Sequence, residues 1–310
     1  MTFPIPPAKA IAAQQAALER LYRAHVGPGD RYALADFPDH PNVGDSAIWL
    51  GEIALLRRIT GRDPDHVATW DGFDAAAFHA DSNGGVLFLH GGGNLGDIWP
   101  HHQAFRQRLV ETVRDRRIVQ LPQSIHFRDP AAVEHFAAAV AAHPDFHLCV
   151  RDARSRAFAE RHLRCPVTLA PDSAFALGAL ARAAPDTGLL LLLRTDAERA
   201  GGDVPLPDGL ACDWLADDPL PQAMGDRAGH FEALAEARVR RGVALLSRGR
   251  RIVTDRLHGH ILATLLGIPH VALDNDHGKI AAYADAWTRD VSIARFADPA
   301  GAAAALAALG

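Results

Sequence analysis

Cysteine is scarce and unpatterned in this chain of 310 residues. Cys149, Cys165 and Cys212 are odd in number and fall at no metal-ligand spacing, which argues against a disulfide-built scaffold and predicts reduced thiols. A surplus of positive charge is also missing. Thirty-two Lys and Arg stand against 37 Asp and Glu, for a net charge of −5, so a non-specific nucleic-acid binder is disfavoured. No apolar run approaches the ~18 residues of a membrane span. The segment MTFPIPPAKA holds no apolar signal core, and a cytoplasmic protein is expected. There is no internal repeat and no P-loop. What is present is ordinary globular material, 48% hydrophobic and 22% charged, in a length that suits two modest domains.

The chain alternates. After an Ala-rich helix at 8–25, a short strand at Tyr32–Phe37 leads into PDHPNVGDSAIWLGE, where Asp45 or Ser46 is placed to cap a helix running to about Arg58. The apolar run Val86–Leu89 is followed by His90 and three glycines, Gly91, Gly92 and Gly93, which let a backbone approach a ligand closely or take positive φ. Strands at Arg117–Leu121, Phe146–Val150 and Pro166–Ala170 end in PQSIHF, RDARS and PDSAF, with helices at 129–142 and 153–162 between them. Units of this length predict a parallel, doubly wound sheet with its polar residues beyond the strands' carboxyl ends. Composition shifts at 183–187, and a second domain opens with the strand Gly188–Leu193, closing on Arg194, Thr195, Asp196 and Glu198. A loop at 199–228 around a strand near 211–215, a helix at 229–247, and terminal helices at 278–287 and 298–309 complete the expectation. The boundaries read 1–184, 185–280 and 281–310, the last packing back on the first domain.

Residues 251–280 are the most informative stretch. Ile252–Thr254 end a buried strand, and His258, Ile261, Leu262 and Leu265 mark one face of a helix that Gly267 and Pro269 stop. Val271–Leu273 make the next strand, so the unit is a right-handed crossover. Arg256 and His258 lie at its strand-to-helix turn, where unpaired N–H groups and cationic side chains together favour an anion.

Taken together, NVGDSAIWLGE, LHGGGNLGD, LPQSIHF, RDARS, PDSAF, LLLLRTD and TDRLHGHILATLLGIPHVALDN resemble the polysaccharide pyruvyl transferase family of bacterial exopolysaccharide biosynthesis, over roughly residues 30–290. The resemblance implies an α/β protein of GT-B-like architecture, two Rossmann-like doubly wound domains facing a cleft. It implies transfer of a pyruvyl group from phosphoenolpyruvate to sugar hydroxyls as a ketal, with a glycan or lipid-linked oligosaccharide as acceptor and peripheral contact with the inner face of a membrane through that acceptor. By motif, Arg256, His258 and Arg194 would meet phosphoenolpyruvate and Asp45 would face the acceptor. Asn42, Gly44, Gly91, Gly92, Gly93, Asn94, Asp97, Gln123 and His126 are the remaining cleft candidates.

The chemistry suits these side chains. Arginine binds phosphate or carboxylate through a planar fork, and histidine is the natural donor of the proton that the methylene carbon requires near neutral pH. His258 is thus the expected acid and Asp45 the expected base, with no metal and no cofactor required. Blander readings stand beside each: Arg256 paired with Asp255 or Asp274, His258 a cap or core residue, Arg194 in a structural ion pair, Asp45 a helix cap, and the glycines serving backbone geometry alone. His260 reads as structural and His101–His102 as a solvated pair. The rival functions are a GT-B-like glycosyltransferase using a nucleotide sugar and a non-catalytic glycan-binding relative.

Overall fold

The computed structural model describes residues 4–82, 84–195, 206–216, 227–274 and 278–309. Asp196, Glu198 and most of the expected 199–228 loop lie outside them. The first half runs α1 (Pro7–Arg23), β1 (Tyr32–Ala35), α2 (Val43–Thr60), β2 (His66–Ala68), α3 (Ala75–Asp81), β3 (Val86–Leu89), β4 (Gly92–Gly96), α4 (Pro100–Thr112), β5 (Ile118–His126), α5 (Pro130–Ala142), β6 (Phe146–Val150), α6 (Ala153–His162), β7 (Val167–Leu169) and a 3-10 turn at Ser173–Leu177. The second half runs β8 (Thr187–Leu192), β9 (Leu210–Cys212), α7 (Arg227–Ser247), β10 (Gly249–Thr254), α8 (Leu257–Leu265), β11 (His270–Leu273), α9 (Lys279–Trp287), β12 (Ala294–Ala297) and α10 (Ala302–Ala307).

Two sheets result. One has the order β2-β1-β3-β5-β6-β7 with β4 beside β5, and the other the order β12-β11-β10-β8-β9. The strand pairings are parallel throughout. The strands are short apolar runs joined by helical crossovers, as the alternation predicts. Aspartates punctuate the turns after the strands: Asp129 caps α5, Asp152 caps α6, and Asp172 caps the 3-10 turn. In α2 the cap is Asn42, whose side chain accepts from Gly44 N, so the helix begins earlier than an Asp45 or Ser46 cap would give. No described helix is long and apolar enough to cross a membrane.

Three elements differ from expectation. The glycine loop is itself a strand, β4, because Gly92, Leu95 and Gly96 pair with the end of β5. The three-residue β2 extends the first sheet beyond β1. Of the terminal segment, α9 packs on α6 of the first half, but β12 joins β11 and α10 covers the second sheet. The end of the chain therefore returns to its own sheet, since Phe296 and Leu306 bring apolar faces that β11 and its neighbours bury.

One apolar cluster joins the halves, taking Phe37, Val43 and Trp49 from the first together with Phe231, Leu234 and Ile261 from the second. Helix α7 is the clasp. Its Phe231 stacks on Phe37 with centroids 4.2 Å apart, and Gly242 lets it close on Val43, whose Cγ1 would be 2.3 Å from a Cβ there. Arg238 donates to Pro38 O and Asp39, and Arg241 to Pro41 O, at 3.1, 3.2 and 2.7 Å.

Candidate active site

The carboxyl ends of both sheets contribute to one cavity of about 510 Å³, walled by His40, Pro41, Asn42, Asp45, Gly93 and Asn94 from the first half and by Arg194, Trp214, Leu215, Arg256, Leu257 and His258 from the second. Trp99, His101, His102, Arg151 and Lys279 complete it.

The cationic wall is built at the β10–α8 turn. Thr254 Oγ1 accepts from Arg256 N at 3.1 Å, and α8 then starts with no side-chain cap. Its first N–H groups thus lie at the cavity wall, an arrangement suited to an anion. Arg256 Nη2 donates to Asp213 Oδ2 at 2.7 Å, and that oxygen also accepts from Thr195 Oγ1 at 2.8 Å. Among the described residues, Asp213 pairs with Arg256 where Asp255 or Asp274 was expected. Asp255 is engaged elsewhere, accepting from Arg194 N at 2.8 Å.

His258 is held between two features. Its Nε2 is 3.3 Å from Asp172 Oδ2, within ion-pair distance though not aligned as a hydrogen bond. Against its other side lies Gly44, where a Cβ would come within 2.3 Å of His258 Nδ1, so that position excludes any side chain. The same Asp172 oxygen is 2.6 Å from Arg151 Nη1. Arg151 is seated in turn by Ser124 Oγ at 2.9 Å and faces Gly93, where a Cβ would be 2.7 Å from Nη2. Burial alone would raise the Asp172 acid; the facing charges of His258 and Arg151 and the Ala174 N–H overcome it and hold the carboxyl well below the usual range.

In the same cavity, Asn42 Nδ2 donates to Asp45 Oδ2 at 2.8 Å, and His40 Nε2 lies 3.6 Å from the same oxygen. Burial would raise Asp45 as well, but His40, His258, His90 and Arg151 lower it, so it stands as a carboxylate. His40 is lowered, chiefly by burial and against the pull of Asp45, which favours the neutral imidazole at pH 7. Behind this wall His102 Nδ1 bonds Asp36 at 2.7 Å, and Asp36 also pairs with Arg106 at 2.7 Å. His101 stacks on Trp70. The two histidines are thus anchored separately instead of forming a solvated pair.

The expected residues divide. Asn42, Asp45, Gly93, Asn94, Arg194, Arg256 and His258 line the cavity. Gly44, Gly91, Gly92, Asp97, Gln123 and His126 do not line it, and most support it. Gly91 N donates to Glu52. Gly92, at φ +124°, stands near Asp45. Gln123 binds His90 O and the Asn94 side chain, and Asp97 accepts from the backbone of Arg128 and Asp129. His126 pairs with Gly96 along β4–β5. His260 is fully buried between His270 and Thr288. Arg151 and Asp172, to which sequence reasoning gave no role, sit in RDARS and PDSAF, so the motifs themselves held the signal. Asp213, His40 and Trp99 carried none. Away from the cavity, His25, His147 and Cys149 bring ligand atoms within 4.8 Å of one another, the one such metal-capable group among the described residues.

Paired parallel sheets closing on a cavity of arginines, histidines and carboxylates describe an α/β enzyme of the Rossmann-like kind. Residues 42–277 match the polysaccharide pyruvyl transferase family, and the chain belongs to it. Pyruvyl transferase 1 of Schizosaccharomyces pombe is 33% identical over 89% of this chain and 74% of its own length. EpsO of Bacillus subtilis, which carries the same activity in its name, is 28% identical over 84% of this chain and 86% of its own. In fold, the chain resembles the crystal structure of a functionally uncharacterized protein from Klebsiella pneumoniae, with a TM-score of 0.60 at 19% identity over 92% of this chain and 98% of that one.

Proposed function

We propose that this polysaccharide pyruvyl transferase takes its pyruvyl group from phosphoenolpyruvate and installs it as a ketal on two hydroxyls of an exopolysaccharide or lipid-linked precursor, working at the cytoplasmic face of the membrane. The two halves would then meet at the cleft in the GT-B-like manner. The observation that carries this reading is the gathering of Arg151, Arg194, Arg256 and His258 in the lining of one cavity together with Asp45 and His40.

Phosphoenolpyruvate brings a phosphate and a carboxylate, and the guanidinium groups with the start of α8 suit both. His258, oriented by Asp172, delivers a proton to the methylene carbon, which becomes a methyl group and leaves the central carbon electrophilic. The first sugar hydroxyl adds there, and its proton passes to the Asp45–His40 pair. The neutral His40 is the better acceptor, because Asp45 is held in its ionised, weakly basic form. The bond from the central carbon to the phosphate oxygen breaks, phosphate leaves, and the neighbouring hydroxyl closes the ring with loss of its proton.

The test is incubation with phosphoenolpyruvate and a set of glycans, following inorganic phosphate and the mass of the product. Phosphate release with a gain of the pyruvyl ketal mass supports the reading. Turnover with nucleotide sugars alone would replace it with glycosyl transfer, and failure of millimolar phosphoenolpyruvate to raise the melting temperature would favour a non-catalytic glycan binder.

A further inference from the structure

Among the described residues, the large apolar side chains that stand exposed are two tryptophans, Trp70 at 39% and Trp99 at 46%. Burial accounts for two others, since Trp49 and Trp214 are almost wholly covered, and Trp287 is fixed by a hydrogen bond to Arg151 O. No packing need accounts for the exposed pair, and both belong to one mouth. Trp99 lines the cavity at the start of α4, where Pro100 follows it at the first helical position. Trp70 is not part of the lining, but its ring is 5.1 Å from His101 and inclined only 20° to it, and His101 lines the cavity. Aromatic faces thus lead from the cavity outward, on the first half's side, where Asp45 and His40 stand.

An exposed indole carries a large flat face with negative potential. The complementary guest is flat, edged by polar groups, and presents weakly positive C–H bonds to the ring. A hexopyranose has that form: axial C–H bonds on one face and hydroxyls round the rim. A lipid chain or a protein's apolar patch would not need the polar residues, Asp45, His40 and Asn94 among them, that line the same cavity as Trp99.

We propose that Trp99 and Trp70 form the acceptor subsite, Trp99 stacking the hexopyranose that is modified and Trp70 a neighbouring unit of the same glycan. The choice of guest rests on the pyruvyl-transfer reading, whereas the stacking itself is tested separately. Saturation-transfer NMR with methyl glucoside, methyl galactoside, lactose and maltose reads the contact, and phosphate release from phosphoenolpyruvate with the same sugars reads the reaction. Contacts from indole protons to sugar C–H groups are expected, with disaccharides held more tightly than methyl glycosides. Trp70→Ala removes that advantage, and Trp99→Ala raises the acceptor KM about tenfold for both sizes with the phosphoenolpyruvate KM unmoved. Trp99→Phe recovers most of the loss, which Trp99→Leu does not. Sugar contacts at the indoles without phosphate release from any acceptor would leave the platform standing and remove the pyruvyl-transfer reading. Turnover that is unchanged in Trp99→Ala and Trp70→Ala, or no indole contact with any of the four sugars, overturns the proposal.

Discussion

Replacing Asp172 with Asn takes away one charge and almost no volume. The carboxylate is fully buried, with Oδ2 at 2.6 Å from Arg151 Nη1 and 3.3 Å from His258 Nε2, while Oδ1 accepts from Ala174 N at 2.9 Å. An amide oxygen can still take the Ala174 N–H, so the 3-10 turn keeps its cap. What vanishes is the anion that faces both Arg151 and His258. Removing one partner from a buried ion pair typically costs about 3–5 kcal/mol, which in a chain of this size lowers the melting temperature by roughly 5–8 °C. Turnover should fall further, by about 10²-fold or more, because a misoriented His258 forfeits much of what a placed acid supplies. Thermal melts by circular dichroism and phosphate release from phosphoenolpyruvate measure the two effects. The depressed pKa of Asp172 gives a third readout. Its stabilisation is present above the unfolded value near 3.8 and is lost as pH falls through the lower folded value, so Asp172→Asn should lose that acid limb. A variant that melts early yet keeps its kcat within about twofold would refute the mechanism, since His258 would then do its work without the carboxylate behind it.

Arg256→Ala should mainly raise the KM for phosphoenolpyruvate, while His258→Asn should mainly lower kcat; steady-state kinetics with donor and acceptor varied in turn would separate them, and equal rates in both would move the site elsewhere. Gly44→Ala ought to gain about 0.5–1 kcal/mol from helix propensity alone, but its methyl would meet His258 at 2.3 Å. The expected outcome is therefore at least about tenfold lower activity without extra stability, and a variant both fully active and more stable would contradict the close approach. For pH, burial lowers His25 and His270 to about 4. The unfolded chain binds protons on them below about 6.5 that the folded chain refuses until about 4, so stability falls across that window on acidification, by about 3 kcal/mol for the fully buried His270. A melting temperature that stays level from pH 7 to pH 4.5 would count against this.

Much of the fold could be read because its strands are short apolar runs ending in polar turns. The strand–helix–strand unit around Arg256 follows directly from β-branched residues, helical spacing and the Gly267–Pro269 stop. Strand β4 escaped because Gly92–Gly96 has almost no β-forming side chains, and its pairing with β5 is a tertiary choice. Strands β2 and β12 are too brief for periodicity to register. In the site, single residues at strand ends were legible, whereas their partners were not. Arg256 and Asp213 are 43 residues apart, and nothing local distinguishes Asp213 from the Asp255 beside Arg256. His40 was hidden in a Pro- and Asp-rich turn, and its meaning came only when α2 placed Asp45 next to it.

The loop from Pro38 to Pro41 carries one bank of the cavity, yet it is gripped by guanidinium groups rooted in α7, on the opposite half. Any swing of the second sheet away from the first would drag that bank along with it. The gap between the banks is therefore set by the clasp and not by a freely swinging hinge. Opening the slot wider would mean first breaking the guanidinium bonds that tie residues 38, 39 and 41 to α7.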